Sequence, residues 1–131
     1  MLDKSALVLF SGGQDSTLSL LWACENFKYV ETVGFNYDQR HLIEMKCREK
    51  ILIKIKKMFS VCKNKLGEDH IIDIPALGLL SETALTRDSE IFVQQNGLPS
   101  TFVPGRNLIF FNMASALGWR RNIFNLIGGM C

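Results

Sequence analysis

The chain is constrained most by its first strand-to-helix joint. Leu7-Val8-Leu9-Phe10 is apolar without alternation, the pattern of a central parallel strand covered on both faces. It runs into Ser11-Gly12-Gly13-Gln14-Asp15-Ser16-Thr17, and that loop into an apolar, helix-compatible stretch, Leu18 to Ala23. A buried strand, a glycine turn and a helix start, in that order, build an anion site. Glycines let the backbone turn tightly and approach a ligand. The free N–H groups and the dipole of the helix start favour negative charge there, and Ser11, Ser16 and Thr17 add hydroxyls. The joint reads as a phosphate cradle in an α/β domain.

The rest of the chain repeats the strand–helix order. The first strand is expected over 6–10 and the first helix from Ser16 to about Asn26, with Leu18, Leu21 and Trp22 on one stripe. Glu31–Tyr37 reads as the second strand. A second helix from near Gln39 to about Phe59 has Leu42, Met45, Leu52, Ile55 and Phe59 as its buried stripe and lysines between them. A basic connection, Ser60 to Gly67, precedes a third strand at His70–Ile74, stopped by Pro75. From Ala76 to Pro104 the pattern is lost, apart from a short helical turn at Leu77–Leu80; a segment of this length inside a domain is more often functional than inert, here as a lid over the site. Arg106 to about Trp119 reads as the third helix, with Leu108, Phe111, Ala114 or Ser115, and Leu117 or Gly118 inward, and Ile123–Ile127 as the fourth strand. Short βα joins imply parallel strands with right-handed crossovers. Ligands in such sheets sit at the carboxyl ends of the strands. The Ser11–Asp15 loop, Asn36–His41, the segment after Ile74 and Gly128–Cys131 therefore converge on one rim.

Composition narrows the class. With 131 residues, 47% of them hydrophobic and 21% charged, the chain makes one ordinary globular domain, residues 1–131. No apolar run approaches the roughly 20 residues of a membrane span, and no signal peptide is evident, so a cytoplasmic protein is expected. Cys24, Cys47, Cys62 and Cys131 form no Cys-x-x-Cys pair and read as free thiols. The net charge of +2 supports no direct binding of nucleic acid. Eight Lys or Arg residues and one acid, Glu49, lie between Lys46 and Lys65. They read first as a solvated helix face, with a polyanion surface as the alternative. The end of the chain, just past a strand at the ligand rim, predicts the front portion of a longer design.

The phosphate chemistry is not that of a Walker A loop, since no lysine follows the glycines, nor that of a Gly-x-Gly-x-x-Gly dinucleotide fingerprint. Ser11, Gly12, Gly13 and Ser16 would bond phosphate oxygens. Asp15 fits either a helix-start carboxylate satisfying backbone N–H groups or a contact to Mg²⁺. Ser-Gly-Gly-x-Asp-Ser after a strand resembles the PP-loop ATP pyrophosphatases of the adenine nucleotide α-hydrolase fold. That likeness implies a parallel-sheet α/β sandwich and ATP held by Phe10, Ser11, Gly12, Gly13, Gln14, Asp15, Ser16 and Thr17, with the α-phosphate open to attack.

Two further stretches, Tyr37-Asp38-Gln39-Arg40-His41-Leu42-Ile43-Glu44 and Phe102-Val103-Pro104-Gly105-Arg106-Asn107, resemble the 7-cyano-7-deazaguanine synthase family; Gly128-Gly129 lies where that family has its next site motif. The resemblance implies an ATP-dependent C–N ligase of queuosine biosynthesis, a tRNA-modification pathway. It would join 7-carboxy-7-deazaguanine and ammonia through adenylated intermediates, with ATP and Mg²⁺. Asp15, Arg40 and His41 are the candidate catalytic residues. Arg40, His41, Arg106 and Asn107 are the candidates for substrate, Arg40 by a bidentate fork and His41 as a proton carrier, although Arg40, His41 and Arg106 could equally meet nucleotide phosphates. Glu44 would hold Arg40 by an i, i+4 pair. His70, at the start of a strand, has no assigned role. The family implies a homodimer. It also implies a substrate loop and a four-cysteine structural zinc site further along; no cysteine here falls in that segment, so no metal ligand is assigned. The alternatives are another PP-loop adenylating enzyme, such as a tRNA thiolase or an amidotransferase synthetase domain, and a non-catalytic nucleotide-binding remnant.

Overall fold

A computed structural model describes residues 2–37, 42–80 and 106–129. The elements are β1 (Leu2–Leu9), α1 (Gln14–Asn26), β2 (Phe27–Asn36), α2 (Leu42–Met58), α3 (Ser60–Lys63), β3 (Leu66–Asp73), α4 (Pro75–Leu80), α5 (Arg106–Arg121) and β4 (Leu126–Gly128). The strands form one sheet in the order β3-β2-β1-β4, and every pairing is parallel. This is the expected α/β class.

The two faces of β1 feed two cores. Ala6, Val8 and Phe10 pack with Leu20, Ala23 and Cys24 of α1, Leu52 and Ile55 of α2, and Cys62 of α3. Leu7 and Leu9 pack on the other face with Val33, with Ala114 of α5 and with Ile123. Helices therefore cover both sides of the central strand, which is why residues 6–10 are apolar without alternation: none is more than 5% exposed. Burial pushes the Cys24 and Cys62 thiols up, so both stay protonated, and Cys24, Cys47 and Cys62 are free thiols as expected. Cys131 lies outside the described residues.

Several expectations change in detail. α1 does not bury the Leu18–Leu21–Trp22 stripe. Leu18 and Trp22 are exposed, and the inward face is Ser16, Leu20, Ala23 and Cys24, with Leu21 only partly buried. Apolar residues run nearly all round this helix, so several stripes fit the pattern; the one with small residues lets the helix approach β1 closely. Trp22 instead packs edge-on against Phe27 at 6.1 Å. β2 begins at Phe27, directly after α1, because the α1 C-cap residue is already extended.

In α2, Leu52 and Ile55 are buried as expected and Met45 is half-buried, while Phe59 lies just past the helix, exposed. The lysines between them are exposed. The basic connection contains a single helical turn, α3, that buries Cys62. β3 starts four residues before His70, at Leu66. In α5 the inward residues are Ala114 and Gly118, flanked by Phe110, Phe111 and Leu117; Leu108 and Ser115 face outward. Asn122, at φ 57°, reverses the chain after α5, and Ile123 N–H donates to Gly118 O at 2.8 Å. That turn, rather than a strand, takes up Ile123 and its neighbours, so β4 is short. Of the expected patternless segment, α4 covers Pro75–Leu80, and 81–105 lie outside the described residues.

Candidate nucleotide-binding site

The parallel register brings the carboxyl ends of all four strands to one rim. Leu9 of β1 pairs with Val33 of β2 and Gly128 of β4, and Asn36 of β2 with Asp73 of β3. The last strand residues are tied across: Ile74 N–H donates to Asn36 O at 2.8 Å and Asn36 Nδ2 to Asp73 Oδ1 at 3.0 Å. Asn36 Oδ1 is buried and, among the described residues, has no hydrogen-bond partner at this rim.

The loop after β1 turns at Gly12, whose φ of +92° lies in the left-handed region that side chains disfavour. Gly13 is the extended N-cap of α1 and offers no side-chain cap. The first-turn N–H groups of α1 have no acceptor four residues back within the helix and so face the loop. The loop is braced by its own hydroxyls. Ser11 N–H donates to Ser16 Oγ at 3.2 Å, Ser16 Oγ to Gly13 O at 3.2 Å, and Thr17 Oγ1 to the same carbonyl at 2.8 Å. The Ser11 and Ser16 hydroxyls are 3.1 Å apart. Ser16 is buried, whereas Ser11, Gly13, Gln14 and Asp15 are exposed. The hydroxyls of Ser11, Ser16 and Thr17 thus brace the loop, with Gly13 N–H donating to Ser11 Oγ at 3.3 Å, and the exposed side of Ser11, Gly13 and the helix start is the surface that faces outward.

Phe10, one of the residues expected to hold ATP, is built into the sheet and core. Its ring is in the core, its N–H donates to Val33 O at 2.9 Å, and its carbonyl accepts from Arg48 Nε at 2.7 Å. Asp15 sits in the first helical turn, exposed, where a carboxylate complements the dipole; it is not the cap. Gly129, just past β4, packs against this turn: a Cβ there would stand 2.7 Å from Asp15 O. The fourth segment therefore does meet the loop.

Arg106 opens α5 as expected, with its guanidinium carbon 6.0 Å from the centroid of the Phe110 ring. Phe110 stacks on Phe35 at 4.3 Å and lies 5.8 Å from Tyr37, so this aromatic group seats the start of α5 beside the end of β2. Asn107 is exposed. Arg40 and His41 lie outside the described residues, as does the side chain of Glu44. Among the described residues no group of three or more His, Cys, Asp or Glu side chains could hold a metal ion, and no helix is long and apolar enough to cross a membrane.

Two polar clusters have no counterpart in the reading of the sequence. Arg48 is 1% exposed beneath the loop. It had a signal: Met45, Arg48, Leu52 and Ile55 are one helical stripe, with a cation in a core position. Glu31, also 1% exposed, takes hydrogen bonds from Arg121 Nε at 3.0 Å, Arg121 Nη2 at 2.7 Å and the Tyr29 hydroxyl, and lies 2.7 Å from His70 Nε2. Burial alone would raise its pKa, but the Arg121, Tyr29 and His70 contacts outweigh burial and hold it down to about 2. His70, given no role from sequence, is part of this anchor between β2, β3 and the end of α5.

A family model described as "Queuosine biosynthesis protein QueC" matches residues 5–131. Among curated proteins, the 7-cyano-7-deazaguanine synthase of Paracidovorax citrulli is 54% identical over 126 residues, 96% of this chain and 54% of that protein. The 7-cyano-7-deazaguanine synthase 2 of Sphingopyxis alaskensis is 54% identical over 129 residues, 98% of this chain and 55% of that protein. The 7-cyano-7-deazaguanine synthase of Rhodopseudomonas palustris is 55% identical over 129 residues, again 98% of this chain and 54% of that protein. The chain spans about half the length of these relatives. The match runs through the strand–loop–helix joint, the parallel sheet and the β4 end packed against α1, and the chain belongs to the QueC family of queuosine biosynthesis proteins.

Proposed function

We propose that this chain carries the ATP site of a ligase that converts 7-carboxy-7-deazaguanine and ammonia to 7-cyano-7-deazaguanine. The observation that carries the reading is the loop: a left-handed Gly12, an uncapped helix start and a self-braced hydroxyl set, with no lysine to grip a γ-phosphate. Family membership and the relatives' names support it.

Ser11, Gly12, Gly13 and the first N–H groups of α1 would hold the pyrophosphate portion of ATP. Asp15 would face Mg²⁺, for which a single carboxylate plus phosphate oxygens is a suitable donor set. The substrate carboxylate would attack the α-phosphorus, releasing pyrophosphate. Ammonia would then displace AMP to give the amide, losing a proton. A second ATP would activate the amide oxygen, again releasing pyrophosphate, and departure of AMP with a proton would leave the nitrile. Arg40, His41, Arg106 and Asn107 would orient the substrate at the rim, and His41 could carry a proton. The same reading implies small-molecule partners, a homodimer and a cytoplasmic location.

The experiment is calorimetric titration of the chain with ATP and Mg²⁺, followed by incubation with ATP, ammonia and the acid under mass-spectrometric detection. Saturable ATP binding and a product lighter by the acid-to-nitrile change are expected. Absence of ATP binding overturns the reading of the loop; binding without product restricts this chain to the nucleotide half of the reaction.

A further inference from the structure

The cation in the core stripe of α2 lies directly under the loop. Arg48 Nε donates to Phe10 O at 2.7 Å, and both terminal nitrogens bond the Asp69 carboxylate of β3. Asp69 also accepts from Thr32 Oγ1 of β2 at 2.7 Å. The guanidinium carbon is 5.5 Å from the centroid of the Phe10 ring. Gly34 makes the room: a Cβ there would stand 2.5 Å from Arg48 Nε. Gly12 lies in ordinary contact distance of α2, since a Cβ there would be 3.5 Å from the Arg48 Cα.

An ion pair with one buried partner, here Arg48 against a partly exposed Asp69, is weak support for stability, because apolar residues of like volume often serve as well or better. What an apolar residue could not supply is a donor for Phe10 O. That carbonyl shares one peptide plane with the Ser11 N–H. Arg48 holds the plane by its oxygen, and Ser16 Oγ holds it by its nitrogen, at 3.2 Å. With both ends fixed, the direction in which the chain enters Ser11-Gly12-Gly13 is fixed as well.

We infer that Arg48, seated by Asp69 and Thr32, is a positioning residue for the phosphate loop: it locks the Phe10–Ser11 peptide so that the loop presents its donors to the polyphosphate. The inference rests on the nucleotide reading of that loop. Arg48 is buried beneath the loop and its charge is balanced by Asp69, so its effect is geometric. The loss of affinity on removing it persists at high salt, unlike that of removing an exposed rim charge.

The decisive variant is Arg48→Met with Asp69→Leu, which removes both charges together and leaves no unpaired ion. It is expected to stay folded but to melt below the parent, because Phe10 O and the buried Thr32 hydroxyl lose their partners. ATP binding should weaken about tenfold, the scale of one buried hydrogen bond to a charged donor, at both low and high salt, and amides of the 10–17 segment should exchange faster. Arg48→Lys, which keeps a donor and a charge, should fall between the two. A folded double variant with parental ATP affinity and parental loop exchange overturns the inference. Should the double variant not fold, Thr32→Val, which removes one anchor of Asp69 and no charge, decides on the same two readouts. If the parent itself binds no ATP, the nucleotide reading fails, and loop exchange alone decides whether Arg48 holds the loop.

Discussion

Gly129 backs onto the carbonyl of Asp15 so closely that a methyl group at 129 would stand 2.7 Å from that oxygen and would also strike the Ser19 hydroxyl. The end of β4 is thereby set against the first turn of α1, on the helix whose start forms the loop. Gly129→Ala must push one of them away. We expect a loss of about 1–3 kcal/mol in stability from overpacking, together with weaker ATP binding. Chemical denaturation and calorimetric titration check the two effects.

Asp15→Asn should separate binding from folding. Asp15 is exposed in the first turn of α1, so loss of its charge should lower stability by no more than about 1 kcal/mol, the scale of a helix-start carboxylate. ATP binding in the presence of Mg²⁺ should be abolished. A variant that binds ATP like the parent would remove Asp15 from the site.

Glu31→Gln should do the reverse. The substitution removes the buried anion that Arg121 and His70 share and leaves them only the exposed Glu68 carboxylate, 3.4 and 3.9 Å away, while Arg121 remains open to water. The loss is expected at about 2–3 kcal/mol, below the range for a fully buried broken pair. ATP affinity should be unchanged, because this anchor joins the end of α5 to the sheet rather than to the loop. Melting temperature and titration report the split.

The same carboxylate sets an acid limit. Glu31 is held down to about 2 from an ordinary value of 4.5, so the folded state binds its proton less readily than the unfolded chain. Its contribution to stability is full above pH 4.5 and is lost as pH falls from there through about 2. The stability of the parent should therefore drop across that window, measured by denaturation at a series of pH values. Glu31→Gln should flatten the profile there; an identical slope in both proteins would count against the assignment.

Much of this was legible because it is local. The order of buried strand, glycine turn and helix start lies within a dozen residues, and each part is dictated by its own neighbours: unbroken apolar residues for a strand covered on both sides, Gly12 for the left-handed turn, and polar residues at a helix start. That was enough to determine the α/β class, the parallel sheet and the rim at which its strands end. The stripe of α2 at Leu52 and Ile55 was readable for the same reason, since helical periodicity is a short-range signal. The stripe of α1 was not, because its apolar residues run nearly all round and only the approach of β1 selects Leu20, Ala23 and Cys24. Arg48 carried a readable oddity, a cation in a core stripe, but not its partners.

Those partners belong to the tertiary structure. Asp69 is 21 residues from Arg48, and Phe10 is 38. Arg121 is 90 residues from Glu31. A buried charge is tolerated only where an opposite charge and matching donors reach it, and no local pattern says which distant residue will do so. By itself the sequence determined that Ser11-Gly12-Gly13 would follow a buried strand and open a helix. Folding decided which side chains hold that loop still, because only the packed sheet brings α2 and β3 beneath it.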